Sequence, residues 1–236
     1  MKNLLIASTS TLHGGNYLEY LLPEIEKLFK DCDTILFIPF ARPGGISHDE
    51  YTEIVSEAFS KVNKKIEGLH EFSDKIEAVE KAQGIFVGGG NTFVLLAELY
   101  HFNLMDPLKN VMENGTPYLG TSAGSNITGL SIKTTNDMPI VYPPSFEALK
   151  ILNFNLNPHY LDPQLNSKHM GETRETRISE FHSQNDVHVL GLREGSWLQV
   201  HNNEIILKGN LAARFFKKAA NPNEIPPETN ITDLIS

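Results

Sequence analysis

The chain has a single cysteine, Cys32, in 236 residues. No disulfide can form within it, and a Cys-based metal site is excluded. Basic residues are also scarce: 20 Lys and Arg stand against 29 Asp and Glu, a net charge of −9. No run of Lys or Arg exceeds two. Nucleic acid is therefore not an expected partner, because phosphate neutralisation needs a basic face. Long apolar runs are missing too. Residues 4–7 near the N-terminus are far too few for a membrane span or a signal core. No membrane partner is expected, and the cytoplasm is the expected location. No H-E-x-x-H pattern occurs, so no metal or other cofactor is implied.

What remains is an ordinary globular balance, with 40% hydrophobic and 21% charged residues. The length suits one domain over residues 1–236, as a monomer or a homodimer. Cys32 follows a helix-like stretch and fits a spare, buried or half-buried thiol better than a nucleophile.

Short apolar runs alternate with amphipathic stretches in the first half. Strands are expected at 3–8, 34–39, 65–69, 84–87 and 117–120. Helices are expected at 17–28, 48–62, 74–82, 91–100 and 107–113. That alternation predicts an α/β fold with a mostly parallel central sheet and helices on both faces. The second half is less regular. Strands are expected at 131–134, 152–156 and 187–190. A terminal antiparallel meander is expected at 196–200, 204–208 and 213–216, turning at Asn202 and Asn203. The proline-rich stretch 219–228 reads as a surface loop.

Two strand-to-helix junctions carry unusual chemistry. Gly120-Thr121-Ser122-Ala123-Gly124 fits G-x-S-x-G, in which a serine on a sharp turn projects its hydroxyl above the sheet. A plain tight turn with a capping serine fits the same five residues. At the other junction, Gly88-Gly89-Gly90 precedes Asn91 and Thr92. Its bare N–H groups suit a phosphate cradle, one arm of an oxyanion hole, or only a tight turn. The Walker A and G-x-G-x-x-G spacings both fail. Two strand ends of one parallel sheet face one crevice, so this loop and Ser122 are expected to be neighbours.

A general base requires a histidine. His159, in Asn157-Pro158-His159, follows an expected strand; His13 and His169 are its rivals. The other six histidines sit in polar contexts that suit a solvated surface. For the acid that orients the base, Asp137 in the polar cluster 134–137 is the candidate, with an Asx-type turn as the alternative role.

These segments together resemble peptidase E, the aspartyl dipeptidase family of serine peptidases. The resemblance rests on FVGGGNTF (86–93), GTSAGSN (120–126), TTNDMPIV (134–141), NPH (157–159), GETRETRI (171–178) and GLREGSWLQV (191–200). It implies a sandwich like that of class I glutamine amidotransferases. It implies Ser122 as nucleophile, His159 as base and Asp137 as orienting acid, acting through an acyl-enzyme. N–H groups of Ala123 and of Gly89 or Gly90 would bind the oxyanion. The implied partner is a small molecule, a dipeptide with N-terminal aspartate. Arg174 is the expected cation for the aspartate side chain, since guanidinium forks suit carboxylates. A helix-surface role beside Glu172 and Glu175 is the alternative. Glu172 is the expected acid for the substrate amino group, and Asn91 and Thr92 are expected to line the pocket. Thr121 departs from the family, which often carries Trp there. An esterase or other amide hydrolase using the same serine, and an amidotransferase-like binding module with a dead site, are the rival functions.

Overall fold

The computed structural model describes residues 1–163 and 171–235. In chain order the elements are β1 (Asn3–Ala7), α1 (Leu22–Leu28), β2 (Thr34–Ile38), α2 (His48–Ser60), β3 (Lys65–Gly68), α3 (Lys75–Glu80), β4 (Ile85–Val87), α4 (Thr92–His101), α5 (Met105–Asn114), β5 (Tyr118–Thr121) and α6 (Ala123–Asn126). There follow β6 (Asn155–Pro158), α7 (Arg174–Gln184), β7 (Val189–Leu192), β8 (Ser196–His201), β9 (Glu204–Gly209), β10 (Ala213–Phe216) and β11 (Asn223–Ile225). The fold is the expected α/β arrangement with a mostly parallel central sheet.

Seven strands form that sheet in the order β3-β2-β4-β5-β1-β8-β9. Its first five strands pair in parallel, and β8 and β9 add an antiparallel edge. Strand residues alternate between two cores, as the period of two requires. Leu5, Ala7, Ile35, Phe37, Phe86 and Leu119 face one core, under α1 and α2. Leu4, Ile6, Leu36, Ile38, Ile85 and Val87 face the other, under α4 and α5.

Several expected elements differ in detail. The helix expected over 17–28 begins only at Leu22, after a 3₁₀ turn at Glu19–Leu21. Pro23 lacks an N–H, and in a longer helix its ring would meet the carbonyl of Glu19. The strand expected at 131–134 is a single bridge between Ser131 and Glu147. There the Asn155 side chain accepts the Ser131 N–H that a ladder would use. The strand expected at 152–156 lies at Asn155–Pro158, in register with β7.

A second sheet, β11-β10-β7-β6, holds the rest. Here the expected C-terminal meander divides. The β8–β9 hairpin extends the large sheet, whereas β10 pairs with β7 and β11. Gly209, at φ 106°, redirects the chain between them. A Cβ there would lie 2.2 Å from the Gly195 carbonyl oxygen, so only glycine fits this crossing. The proline-rich stretch expected to be loop contributes β11. His182, expected at the surface, is buried and hydrogen-bonded to the Val187 carbonyl.

Candidate active site

Ser122 stands between β5 and α6 at φ 53°, ψ −109°. Such a backbone costs roughly 1–3 kcal/mol and persists only where the surroundings enforce it. Enforcement comes from close packing. A Cβ on Gly124 would lie 2.2 Å from the Val87 carbonyl oxygen, and one on Gly120 would lie 2.6 Å from that of Gly124. The Ser122 N–H donates to the Ala7 carbonyl, and Ser125 Oγ donates to the Ala7 and Gly120 carbonyls. The turn is thereby tied to β1, β4 and β5 at once.

His159 also has a positive φ, 53°. Its N–H donates to Ser8 Oγ, which in turn donates to the Leu192 carbonyl. The ring is thus delivered from the end of β6 to the end of β1. His159 Nε2 lies 3.0 Å from Ser122 Oγ. Its other nitrogen, Nδ1, lies 2.7 Å from a carboxylate oxygen of Glu194. Sequence reasoning missed Glu194, although GLREGS was among the matching segments. In the parallel register of β6 and β7, Pro158 is opposite Leu192, so His159 and Glu194 leave adjacent strands at the same end.

Asp137, the acid expected at His159, is engaged elsewhere. Its Oδ2 accepts from the Thr92 N–H (2.7 Å), the Thr92 hydroxyl (2.6 Å) and the Thr135 hydroxyl (3.1 Å). It serves the first N–H group of α4, that of the buried Thr92, where a negative charge is favoured by the helix dipole. Asn91 caps the same helix through the N–H groups of Phe93 and Val94 and donates to the Met138 carbonyl. Asn136 bonds the Pro158 carbonyl, holding this loop beside the His159 strand. Of the histidine rivals, His13 is exposed in a turn after β1, and His169 lies outside the described residues.

The glycine loop does meet Ser122. A Cβ on Gly89 would lie 3.1 Å from Ser122 Cβ. Among the described residues, the N–H groups of Gly89, Gly90 and Ala123 have no hydrogen-bond acceptor. Arg174 opens α7 and is part-buried, with no ion-pair partner among the described residues. Burial and the Arg177 charge lower its pKa, and the Asp137 carboxylate opposes them. Glu172 is exposed and lies 3.8 Å from Arg177 Nε. Glu175 is bound to Arg214 rather than to Arg174. Thr121, the departure from the family, is fully buried in β5.

A serine hydroxyl on a strained turn, an imidazole and a carboxylate in hydrogen-bond sequence, and free N–H groups beside the hydroxyl have the form of a hydrolase centre on an α/β fold. The model of peptidase family S51 matches residues 4–208, and the chain belongs to that family. It is a peptidase. A Drosophila melanogaster protein named a probable alpha-aspartyl dipeptidase is 47% identical over 237 residues, covering 99% of this chain and 98% of the relative. Peptidase E of Streptomyces coelicolor is 44% identical over 233 residues, covering 99% and 95%. The crystal structure of a peptidase from an acI-B1 Actinobacterium shares the fold with TM-score 0.73 at 16% identity, covering 98% of this chain and 96% of that one.

Proposed function

We propose that the chain hydrolyses dipeptides with an N-terminal aspartate, with Ser122 as nucleophile, His159 as base and Glu194 as the acid that orients it. The observation that carries this is the Ser122 Oγ–His159 Nε2 contact of 3.0 Å, backed by Glu194 on Nδ1. Ser122 Oγ attacks the peptide carbonyl while its proton passes to His159 Nε2. The carbonyl oxygen becomes an oxyanion beside the Ala123 N–H and an N–H of the glycine loop. Collapse breaks the C–N bond, and His159 returns the proton to the leaving amine. Water then repeats the sequence on the acyl-enzyme. Glu194 holds the Nδ1 proton and favours the imidazolium.

Arg174 suits the substrate's side-chain carboxylate, being a part-buried cation without an ion partner among the described residues. The names of the relatives support the same substrate. The geometry favours Asp137 as a support for α4 and a negative neighbour of Arg174, not as the partner of His159. The enzyme is proposed to act as one domain in the cytoplasm on free peptides, without nucleic acid or membrane. Ser122→Ala should abolish turnover of Asp-Leu with the fold intact; near-normal turnover would end the proposal. Arg174→Ala should raise KM for Asp-Leu at least tenfold. An unchanged KM would move the cation elsewhere.

A further inference from the structure

Tyr51 lies on α2, far from Ser122 in sequence, yet its ring reaches under the glycine loop. A Cβ on Gly88 would lie 2.4 Å from the Tyr51 hydroxyl oxygen. That hydroxyl is buried and donates to the Gly89 carbonyl at 3.2 Å. The Tyr17 hydroxyl lies 3.3 Å from it, and Tyr17 meets the Tyr51 ring edge-on at 6.3 Å between centroids. Phe37 packs on the same ring at 4.9 Å, and the Arg42 guanidinium lies 4.5 Å from its centre. The ring is held on every side, so its hydroxyl has one place to be.

The Gly89 carbonyl and the Gly90 N–H belong to one planar peptide and point to opposite edges of it. Whatever holds the carbonyl aims the N–H. Backbone bonds fix the loop on either side of this peptide. The Gly88 N–H donates to Ile38 and the Asn91 N–H to Ala41. A Cβ on Gly90 would lie 2.2 Å from the Ala41 carbonyl oxygen, so the loop is also pressed against that strand end. The Gly89–Gly90 peptide itself is held by no backbone bond among the described residues. Tyr51 supplies the bond that is missing.

We infer that Tyr51 is a positioning residue of the oxyanion hole: through the Gly89 carbonyl it aims the Gly90 N–H at the developing oxyanion. This rests on the proposed role of Ser122. It also divides the loop's two free N–H groups between them, because Gly90 and not Gly89 shares its peptide with the anchored carbonyl. A donor aimed in advance stabilises the transition state without reorganising during the reaction. Removing the anchor should therefore weaken transition-state binding and leave substrate binding alone.

The test is Tyr51→Phe, which keeps the ring and its packing and deletes only the hydroxyl. Turnover of Asp-Leu should show kcat lowered about tenfold with KM unchanged. Two ligands sharpen the readout. The aldehyde analogue of aspartate forms a hemiacetal with Ser122 Oγ, in which the former carbonyl oxygen occupies the hole; free aspartate does not form one. The variant should bind the aldehyde about tenfold more weakly and aspartate as before. Unchanged kcat, or equal weakening of both ligands, would overturn the inference. Should Tyr51→Phe fail to fold, Tyr17→Phe takes its place. It removes the support behind the Tyr51 hydroxyl and should weaken the aldehyde selectively by a smaller factor; undiminished aldehyde affinity would overturn the inference. Ser122→Ala run in parallel separates the two ideas. If that variant stays active, the nucleophile assignment fails. If it is dead and Tyr51→Phe behaves as wild type, only the role of Tyr51 fails.

Discussion

Two carboxylates compete for one role at the scale of single residues, and their hydrogen-bond partners divide the work. Glu194 has the His159 ring nitrogen at 2.7 Å. Asp137 has one oxygen engaged by Thr92 and Thr135. Glu194→Gln should then lower kcat by up to roughly 10⁴-fold, the loss that follows when an orienting carboxylate becomes an amide and the wrong imidazole tautomer is favoured. Asp137→Asn should act mainly on KM for aspartyl substrates, because its charge lies near Arg174 and the start of α4. Steady-state kinetics of the two variants decide the matter. The reverse pattern would return the orienting role to Asp137. Ser122 and His159 share a second property, a positive φ of 53°. Each is compelled by hydrogen bonds to β1 and its flank, through Ala7 and Ser8.

Among the elements, α6 is tightly constrained. It has only four residues, all buried, and follows the nucleophile directly. It packs so closely on β4 that a methyl group on Gly124 would overlap the Val87 carbonyl. Gly124→Ala should destabilise the protein by about 1–3 kcal/mol, the usual cost of overpacking a filled core. Thermal unfolding measures this, and an unchanged melting temperature would show that α6 can shift. The G-x-S-x-G pattern was legible in sequence because Gly120 is a steric requirement of the turn itself, where a Cβ would meet the Gly124 carbonyl. The partner of the turn was not, since Val87 lies in a separate strand and only pairing brings it near.

At the scale of the whole molecule, one ion network joins the parts that carry the site. Arg193 makes paired hydrogen bonds to Asp162 and to Glu224, and its ring-side neighbour is Tyr160. Glu224 also bonds Arg214, which reaches Glu175 on α7. Three site residues are thus chain neighbours of network members: His159 near Asp162, Glu194 beside Arg193, and Arg174 beside Glu175. The Arg193 hydrogen bonds hold the carboxyls of Asp162 and Glu224 below the usual carboxylate range. A carboxyl with a depressed folded-state pKa adds stability above its unfolded value, and that stability is lost as pH falls through the folded value. Arg193→Gln should therefore melt below wild type at pH 7, and the gap should narrow as pH falls below about 4, the unperturbed carboxylate range. Melting temperatures at pH 7 and pH 3 check this; a constant gap would mean that the network contributes no pH dependence.

The strands of the large sheet, the two glycine-bearing junctions and the candidacy of Ser122 and His159 followed from sequence by itself, because they depend on local periodicity and on turns that only small residues can make. The ordered family motifs carried the class of chemistry. Tertiary structure alone decided which acid meets His159 and which tyrosine holds the glycine loop. It also decided that β10 leaves the β8–β9 hairpin for the second sheet. Each of these depends on which strand ends lie side by side. The β6–β7 register sets Glu194 against His159 across 35 residues of chain. The packing of α2 on the sheet sets Tyr51 under Gly89 across 38. No periodicity within either segment encodes that proximity, since it arises from the long-range pairing that builds the sheet.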